Sequence, residues 1–452
     1  MNNFINDYIE EVCRQIKYKA IVEDISTEIK GHIDELTEGF IEEGLSEQDA
    51  IKKAIEQMGD PIQIGKELNK THKPVTEWSI IALIGTMVLI GGFSLFSIAK
   101  DPASLLNLSH IGRSYIIHLV LGLGVASACY FFDYTKLEKY SLKMFIGTIA
   151  FLLIGSGIGR SIAGTQYVVI GGVSFAVISV ALPLFIISFA GIAKKWVSGN
   201  IKDLFKVAGI AFLAIFISLL SQNSLSIILL LAGGFLIIMI ATIFNREFKG
   251  NRKQHLLTIF GGCSFILALM TFYIFNSPYR KARLLVFINP GADPQGAGYI
   301  GYLIRQIISG ANLLGKNENM YFTYQGVTRI ALPEVSTDFI FAYIVGAFGW
   351  LLGIVTILAI ALAILRMVVA TKKIKDNYGK HLGVAIIAIF SLQAIANILM
   401  NTGMFPTLGL SLPFISYGGT NLIVNMGLIG LFLGIYRRKN IVSFKKQKHS
   451  II

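Results

Sequence analysis

Asp338 closes the polar stretch LPEVSTD, residues 332–338, and no further charge follows it until Arg366. A carboxylate at the mouth of so long an apolar run is partly desolvated, which raises its proton affinity, while the dipole of a helix starting there pulls the other way. A carboxyl tuned like this can take a proton from an attacking hydroxyl. Ser, Thr and Asp ahead of an apolar helix are equally ordinary caps, so the stretch alone leaves both roles open.

Other candidate chemistry is thin. GANLLGKN, residues 310–317, nearly matches a phosphate loop, but Asn317 stands where a magnesium-holding hydroxyl is needed, and no suitable strand precedes it. Cys13, Cys129 and Cys263 have no metal-ligand spacing and imply no disulfide framework. No cofactor or metal site is expected, although a divalent cation stays open beside any phosphate chemistry.

The elements that must position Asp338 are membrane helices. With 54% hydrophobic and 15% charged residues in 452, the chain is too apolar for an ordinary soluble protein. Ten stretches are long enough to cross a bilayer: 78–99, 114–132, 141–158, 167–192, 204–220, 226–245, 255–276, 339–364, 382–402 and 419–436. With the N-terminus inside, the connections after even-numbered spans and the tail hold 22 of the 31 basic residues beyond position 74. Both termini are therefore expected to be cytoplasmic, with the long connection between spans seven and eight, Ser277 to Thr337, facing outward. This bias, together with headgroup charge, accounts for the net charge of +13 without any nucleic acid.

The first 74 residues differ, holding 16 of the 27 acidic residues and 9 basic ones. Ile25, Ile29, Ile33, Leu36 and Phe40 recur at helical spacing, and Gly44 is placed to end that helix. Ser46 with Asp49 resembles a capping box for a helix through Ala50, Ile51, Ala54 and Ile55, stopped by Gly59, Asp60 and Pro61. The expected order is an acidic helical prefix domain (1–74), a ten-helix all-α membrane domain (75–440) and a basic tail (441–452). An acidic domain ahead of the first span argues against a cleavable signal.

Three segments carry a resemblance. LPEVSTDFIFAYI, NTGMFPTLGLSLPFISYGGTNLIVNMGLIG (401–430) and RKARLLVFINPGADPQGAGY (280–299) resemble the SEDS family, the shape, elongation, division and sporulation proteins. The resemblance covers about 77–440 and implies polymerisation of peptidoglycan glycan strands from a lipid-linked disaccharide-peptide precursor, lipid II, beside a class B penicillin-binding protein. It implies that Asp338 is catalytic, and that Arg283 and Lys316, with Arg280 and Arg329 behind them, receive the departing diphosphate. Arginine suits paired contacts and lysine acts as a point charge; surface charge paired with Asp293 or Glu334 is the plain alternative. Pro406, Gly409 and Pro413 prevent a continuous helix, so Ser416, Tyr417 and Gly418 are expected either to line a polar cleft near Asp338 or to form an ordinary tight turn packed against neighbours; Glu334 and Thr337 of the motif complete the expected binding set. The prefix GLSEQDAIKKAIEQMGDP resembles helical domains ahead of some Gram-positive membrane proteins, pointing to a multi-pass protein of a Gram-positive cell membrane.

The sequence also departs from the family. Gly346 and Ala347 stand where an acidic pair commonly follows the motif. SFAVISVALP replaces one signature, and QNSLSI (222–227), with Ser224, replaces another. A precursor transporter and a noncatalytic scaffold for the penicillin-binding protein are the competing expectations. The carrier reading lacks the buried acid pairs that proton coupling uses.

Overall fold

A computed structural model describes residues 3–17, 19, 22–71, 75–104, 106–162, 165–170, 173–196, 199–221, 225–245, 248–276, 281, 285–296 and 298–439. Arg280, Arg283, Ser224, Pro74 and the tail 441–452 lie outside this set. The chain divides into two compact units, with the first boundary between Thr76 and Glu77.

The first unit is built on four helices, α1 (Asn3–Arg14), α2 (Val22–Glu42), α3 (Glu47–Met58) and α4 (Pro61–Thr71). Ile25, Ile29 and Ile33 present one apolar stripe of α2 to Ile5, Tyr8, Ile9 and Val12 of α1. Each such side chain taken fully out of water contributes about 1.5–3 kcal/mol. Ser46 caps α3 as expected, its Oγ accepting from the Asp49 amide at 3.3 Å and donating to the Asp49 carboxylate at 2.6 Å. Pro61, read from sequence as a stop, also opens α4: its missing N–H costs nothing at the first helical position.

The second unit is predominantly helical. Its elements are α5 (Trp78–Lys100), α6 (Leu108–Phe131), α7 (Thr135–Ile158), strands β1 (Arg160–Ile162), β2 (Thr165–Ile170) and β3 (Val173–Ala176), α8 (Val177–Trp196), α9 (Ile201–Ser221), α10 (Leu225–Ile243), α11 (Arg252–Phe275), α12 (Tyr299–Ser309), β4 (Tyr321–Tyr324), β5 (Val327–Ile330), α13 (Ile340–Phe348), α14 (Trp350–Lys372), α15 (Asn377–Asn401) and α16 (Gly419–Arg437). Among the described residues nine helices, α5 to α10 and α14 to α16, are long and apolar enough to cross a membrane. The seventh expected stretch is α11, several of whose side chains lie outside the described set. Helices α8 and α16 are largely enclosed by their neighbours, whereas α6 is almost wholly exposed on the bundle's periphery.

Two expected spans are corrected. The fourth does not begin at 167, because 160–176 forms an antiparallel three-stranded meander and the helix starts only at Val177. QYVVI and VSFA are rich in β-branched and aromatic residues, and an apolar run without period cannot by itself separate a strand from a helix. Ile170 pairs with Val173 at one end of the β2–β3 ladder.

The eighth span is broken. Helix α13 ends at Gly349, whose φ of 89° lies in the left-handed region. A Cβ there would stand 2.5 Å from the Leu313 carbonyl oxygen, so glycine alone fits. Asp338 therefore precedes a short helix buried from Ile340 to Ala347, packed through Ala342, Tyr343 and Ala347 on Ile304 and Ile307 of α12 and on Met320.

Candidate active site

The segment 332–339 folds back on itself before α13 begins. Glu334 takes a φ of 49°, and its carbonyl accepts from the amides of Thr337 at 3.0 Å and Phe339 at 3.2 Å. The Thr337 hydroxyl donates to the Glu334 carboxylate at 2.8 Å, which fixes where that charge sits. The capping role open to Asp338 is not taken: Phe339 holds the N-cap position and makes no side-chain cap bond.

Helix α15 secures the turn. Asn397 and Asn401, one helical turn apart and fully buried, both donate to the Asp338 carbonyl at 2.9 Å. Asn401 Oδ1 accepts the Ala342 amide at 3.0 Å, satisfying one of the orphan donors in the first turn of α13. Asn397 also donates to the Leu410 carbonyl, so one side chain joins the base-bearing turn to the segment facing it. Sequence reasoning missed both residues; the signal was two carboxamides at i, i+4 in an apolar run, where unpaired polar groups are costly.

Residues 402–418 are non-helical, as their Pro and Gly content predicts, and run past the turn. The three residues expected to line a cleft reach it, but their polar groups are engaged by protein. Ser416 Oγ donates to the Thr337 carbonyl at 2.6 Å and accepts from the Leu412 amide at 2.7 Å. The Tyr417 amide donates to the Ser336 carbonyl at 2.7 Å, and its hydroxyl to Ser114 at 2.8 Å. The Gly418 carbonyl accepts the Leu422 amide at 2.8 Å. Their geometry braces the turn instead of offering donors to a ligand.

The Asp338 carboxylate itself meets no hydrogen-bond donor among the described residues. Asp338 is partly exposed and the exposed Gly409 lies beside it: a Cβ built on that glycine would stand 3.4 Å from Asp338 Oδ2. Burial, reinforced by the negative charge of Glu334, pushes the Asp338 carboxyl up to about 6. The meander supplies the opposite side: the Tyr167 phenol is raised by burial and by the charges of Asp338 and Glu334. Arg160 is directly across from Tyr167 in β1–β2, so the two side chains share a face of the sheet. Because Tyr167 lies within an expected span, sequence reasoning missed it.

Replacing Glu334 by Gln keeps an acceptor for Thr337 but removes the like charge. Asp338 then protonates less readily, and any activity needing its ionised form retains more of its maximum at pH 5 than the wild type does. Activity measured from pH 4.5 to 8 checks this, with the acid limb moving to lower pH.

Of the expected diphosphate cations, Lys316 is not brought to Asp338. Lys316 lies between Gly315 and Asn317, whose amides bond the carbonyls of Phe348 and Gly346. That is the far end of α13, about 12 Å or more from Asp338 by helical rise. Its ammonium is 3.8 Å from Asp101, a carboxylate that also accepts the Tyr321 hydroxyl at 2.6 Å. Asn317, the residue that spoils the phosphate-loop pattern, is buried and donates to the Ile307 carbonyl at 2.7 Å. Arg283 lies outside the described residues. Arg329 is on β5, in register with Phe322. No group of three His, Cys, Asp or Glu side chains that could hold a metal occurs among the described residues. At Gly346 an added Cβ would be 2.4 Å from the Met320 sulfur, so the family's acidic pair has no room: Met320 fills the place.

A bundle of membrane-length helices carrying a partly desolvated carboxylate in a turn lashed to its neighbours is a polytopic membrane protein with a candidate base in that turn. The family model for cell cycle proteins of the FtsW, RodA and SpoVE group matches residues 75–441, and the chain belongs to that family, the SEDS proteins. A probable peptidoglycan glycosyltransferase FtsW of Idiomarina loihiensis is 26% identical over 392 residues, 83% of this chain and 90% of that protein. One of the same description from Geobacter metallireducens is 28% identical over 335 residues, covering 71% and 84%. Among solved structures, a chain from a peptidoglycan synthase complex that coordinates polymerization and crosslinking superposes with a TM-score of 0.66 at 20% identity, covering 81% of this chain and 98% of that one. The rod shape determining protein RodA of Thermus thermophilus superposes at 0.56 with 18% identity over 81% and 98%. These relatives place the chain among bacterial integral membrane proteins but lend no support to the expected Gram-positive source.

Proposed function

We propose that this protein polymerises peptidoglycan glycan strands from lipid II at the outer face of the cell membrane, with Asp338 as general base. The observation that carries this reading is the Asp338 carboxylate, braced through its backbone by Asn397 and Asn401, partly exposed beside the exposed Gly409, and without a donor among the described residues. The acceptor sugar's hydroxyl gives its proton to Asp338 as its oxygen bonds to the donor's anomeric carbon; the bond from that carbon to the lipid diphosphate breaks, and the diphosphate leaves with the electron pair. A lipid-tethered donor meets the base without leaving the bilayer. This reading assigns the end of the bundle bearing Asp338 to the outer surface and both termini to the cytoplasm.

The diphosphate needs a cation, and the fold favours Arg160, on the sheet face shared with Tyr167. Arg160→Ala is expected to raise KM for the lipid-linked precursor about tenfold or more with a smaller change in kcat, and Arg160→Lys to recover part of it. Unchanged kinetics would remove Arg160 from the site.

A class B penicillin-binding protein is the proposed partner, supported by the synthase complex from which a structural neighbour comes. A carrier role finds less footing: the acids within the described spans, Glu138 and Asp203, sit in the first turns of α7 and α9. The purified chain with its partner, given lipid-linked precursor, separates the readings. Polymer that depends on Asp338 supports the enzyme, precursor movement between leaflets without polymer supports a carrier, and polymer indifferent to Asp338 supports a scaffold.

A further inference from the structure

A second concavity lies apart from the Asp338 turn. A cavity of about 620 Å³ is lined by Pro290 and Gly291, by Tyr302, Arg305, Gln306 and Ser309 of α12, and by the 402–404 turn that follows α15. Arg305 is its one charged lining residue. The guanidinium donates to the carbonyls of Phe287 at 3.1 Å, Ile288 at 3.3 Å and Gly403 at 3.4 Å. Those three bonds to neutral acceptors use three of its five donors and leave its charge uncompensated, because no carboxylate pairs with it among the described residues. Tyr302 and Gln306 hydrogen-bond each other at 2.9 Å, while Pro290, Ile308 and Met404 give the cavity an apolar share.

A single positive charge set among amide, hydroxyl and apolar groups suits a singly charged, partly apolar organic anion. The departing diphosphate belongs at the base, where the reading above places Arg160, which leaves this cavity to another part of the precursor. The wall also has a definite relation to the base: Thr402 follows Asn401, whose side chain holds the Asp338 carbonyl. A short extended peptide covers about 3.4 Å per residue, so one attached to a sugar at Asp338 reaches a cavity that begins next to Asn401.

We propose that this cavity is a subsite for the peptide of the lipid-linked disaccharide, with Arg305 receiving a peptide carboxylate. The proposal rests on the glycan-polymerising reading above and names which part of the precursor is recognised away from the bond being made. It also gives a reason for Arg305 to be held by backbone carbonyls: the fork is preorganised while its charge stays available.

Binding tests it without turnover. The full-length protein in detergent is titrated calorimetrically with a soluble disaccharide-peptide bearing free carboxylates, and with the same compound in which they are carboxamides. The free acid is expected to bind about tenfold more tightly, the worth of one charge-assisted hydrogen bond. Arg305→Gln, which removes the charge but keeps two N–H donors, should abolish that preference, and Arg305→Lys should keep several-fold of it. Equal Kd for the two compounds on the wild type overturns the proposal, as does full retention of the preference in Arg305→Gln. Displacement of the free acid by inorganic diphosphate at comparable concentration would reassign the cavity to phosphate and overturn it too. Since no glycan need form, a failure here stays distinct from failure of the polymerising reading, which appears only in the polymer assay.

Discussion

Asp338→Asn should lower glycan polymerisation about 10³-fold, with the protein still folded and still able to bind its lipid-linked precursor. Asparagine matches aspartate in shape, and the backbone carbonyl gripped by Asn397 and Asn401 is unchanged, so the turn keeps its geometry. The carboxylate accepts no hydrogen bond among the described residues, so no internal partner is left unsatisfied by the change. What is lost is the proton acceptor, and a positioned general base contributes typically 10²–10⁴-fold. Gel separation of glycan chains from purified protein reads the effect. Precursor binding measured on the same sample separates loss of chemistry from loss of binding. A residual rate within tenfold of the wild type would mean that the proton leaves by another route.

The second large effect belongs to a residue that touches no substrate. Asn401→Leu keeps the side chain's branching with bulkier methyl ends, leaves the Ala342 amide without its acceptor and removes one of the two donors on the Asp338 carbonyl. The buried Ala342 amide stranded in this way costs about 1–3 kcal/mol, while the Asp338 carbonyl keeps Asn397, so a lowered melting temperature of that worth is expected. Activity should fall further than stability alone explains, because the turn carrying the base loses a fastening. Asn401→Asp keeps an acceptor for Ala342 but loses the donor, and it puts a second negative charge close to Asp338. Like charge raises a carboxyl's proton affinity, so the acid limb of activity should move to higher pH in this variant. A purely structural role for Asn401 would leave that limb in place.

Much of the helical frame was legible because it rests on composition and period. The prefix helix through Ile25, Ile29 and Ile33, the Ser46 cap and the breakers Pro406, Gly409 and Pro413 all follow from local chemistry. The meander at 160–176 was not legible, since an apolar run of β-branched residues reads equally as a span. Nor was the break at Gly349, where the need for glycine comes from the Leu313 carbonyl, a contact no local pattern reveals.

Within the site, Asp338 stood out through its place at the edge of an uncharged run and through the motif around it. Lys316 illustrates the opposite case: sharing a loop with the motif said nothing about distance, and the fold sends it to Asp101 at the other end of α13. Ser416 and Tyr417 lie beside the turn, but which way their hydroxyls point depends on Thr337 and Ser114, partners fixed only in three dimensions.

The most direct measurement is the pH dependence of glycan polymerisation by the purified wild-type protein, with Asp338→Asn run alongside. The base acts ionised, and burial with Glu334 pushes its carboxyl up to about 6. The rate should therefore climb about tenfold per pH unit below that value and level off above it, with the Asn variant low and free of this limb. A wild-type rate flat between pH 4.5 and 8, or the same limb persisting in Asp338→Asn, would contradict the assignment of Asp338 as the proton acceptor.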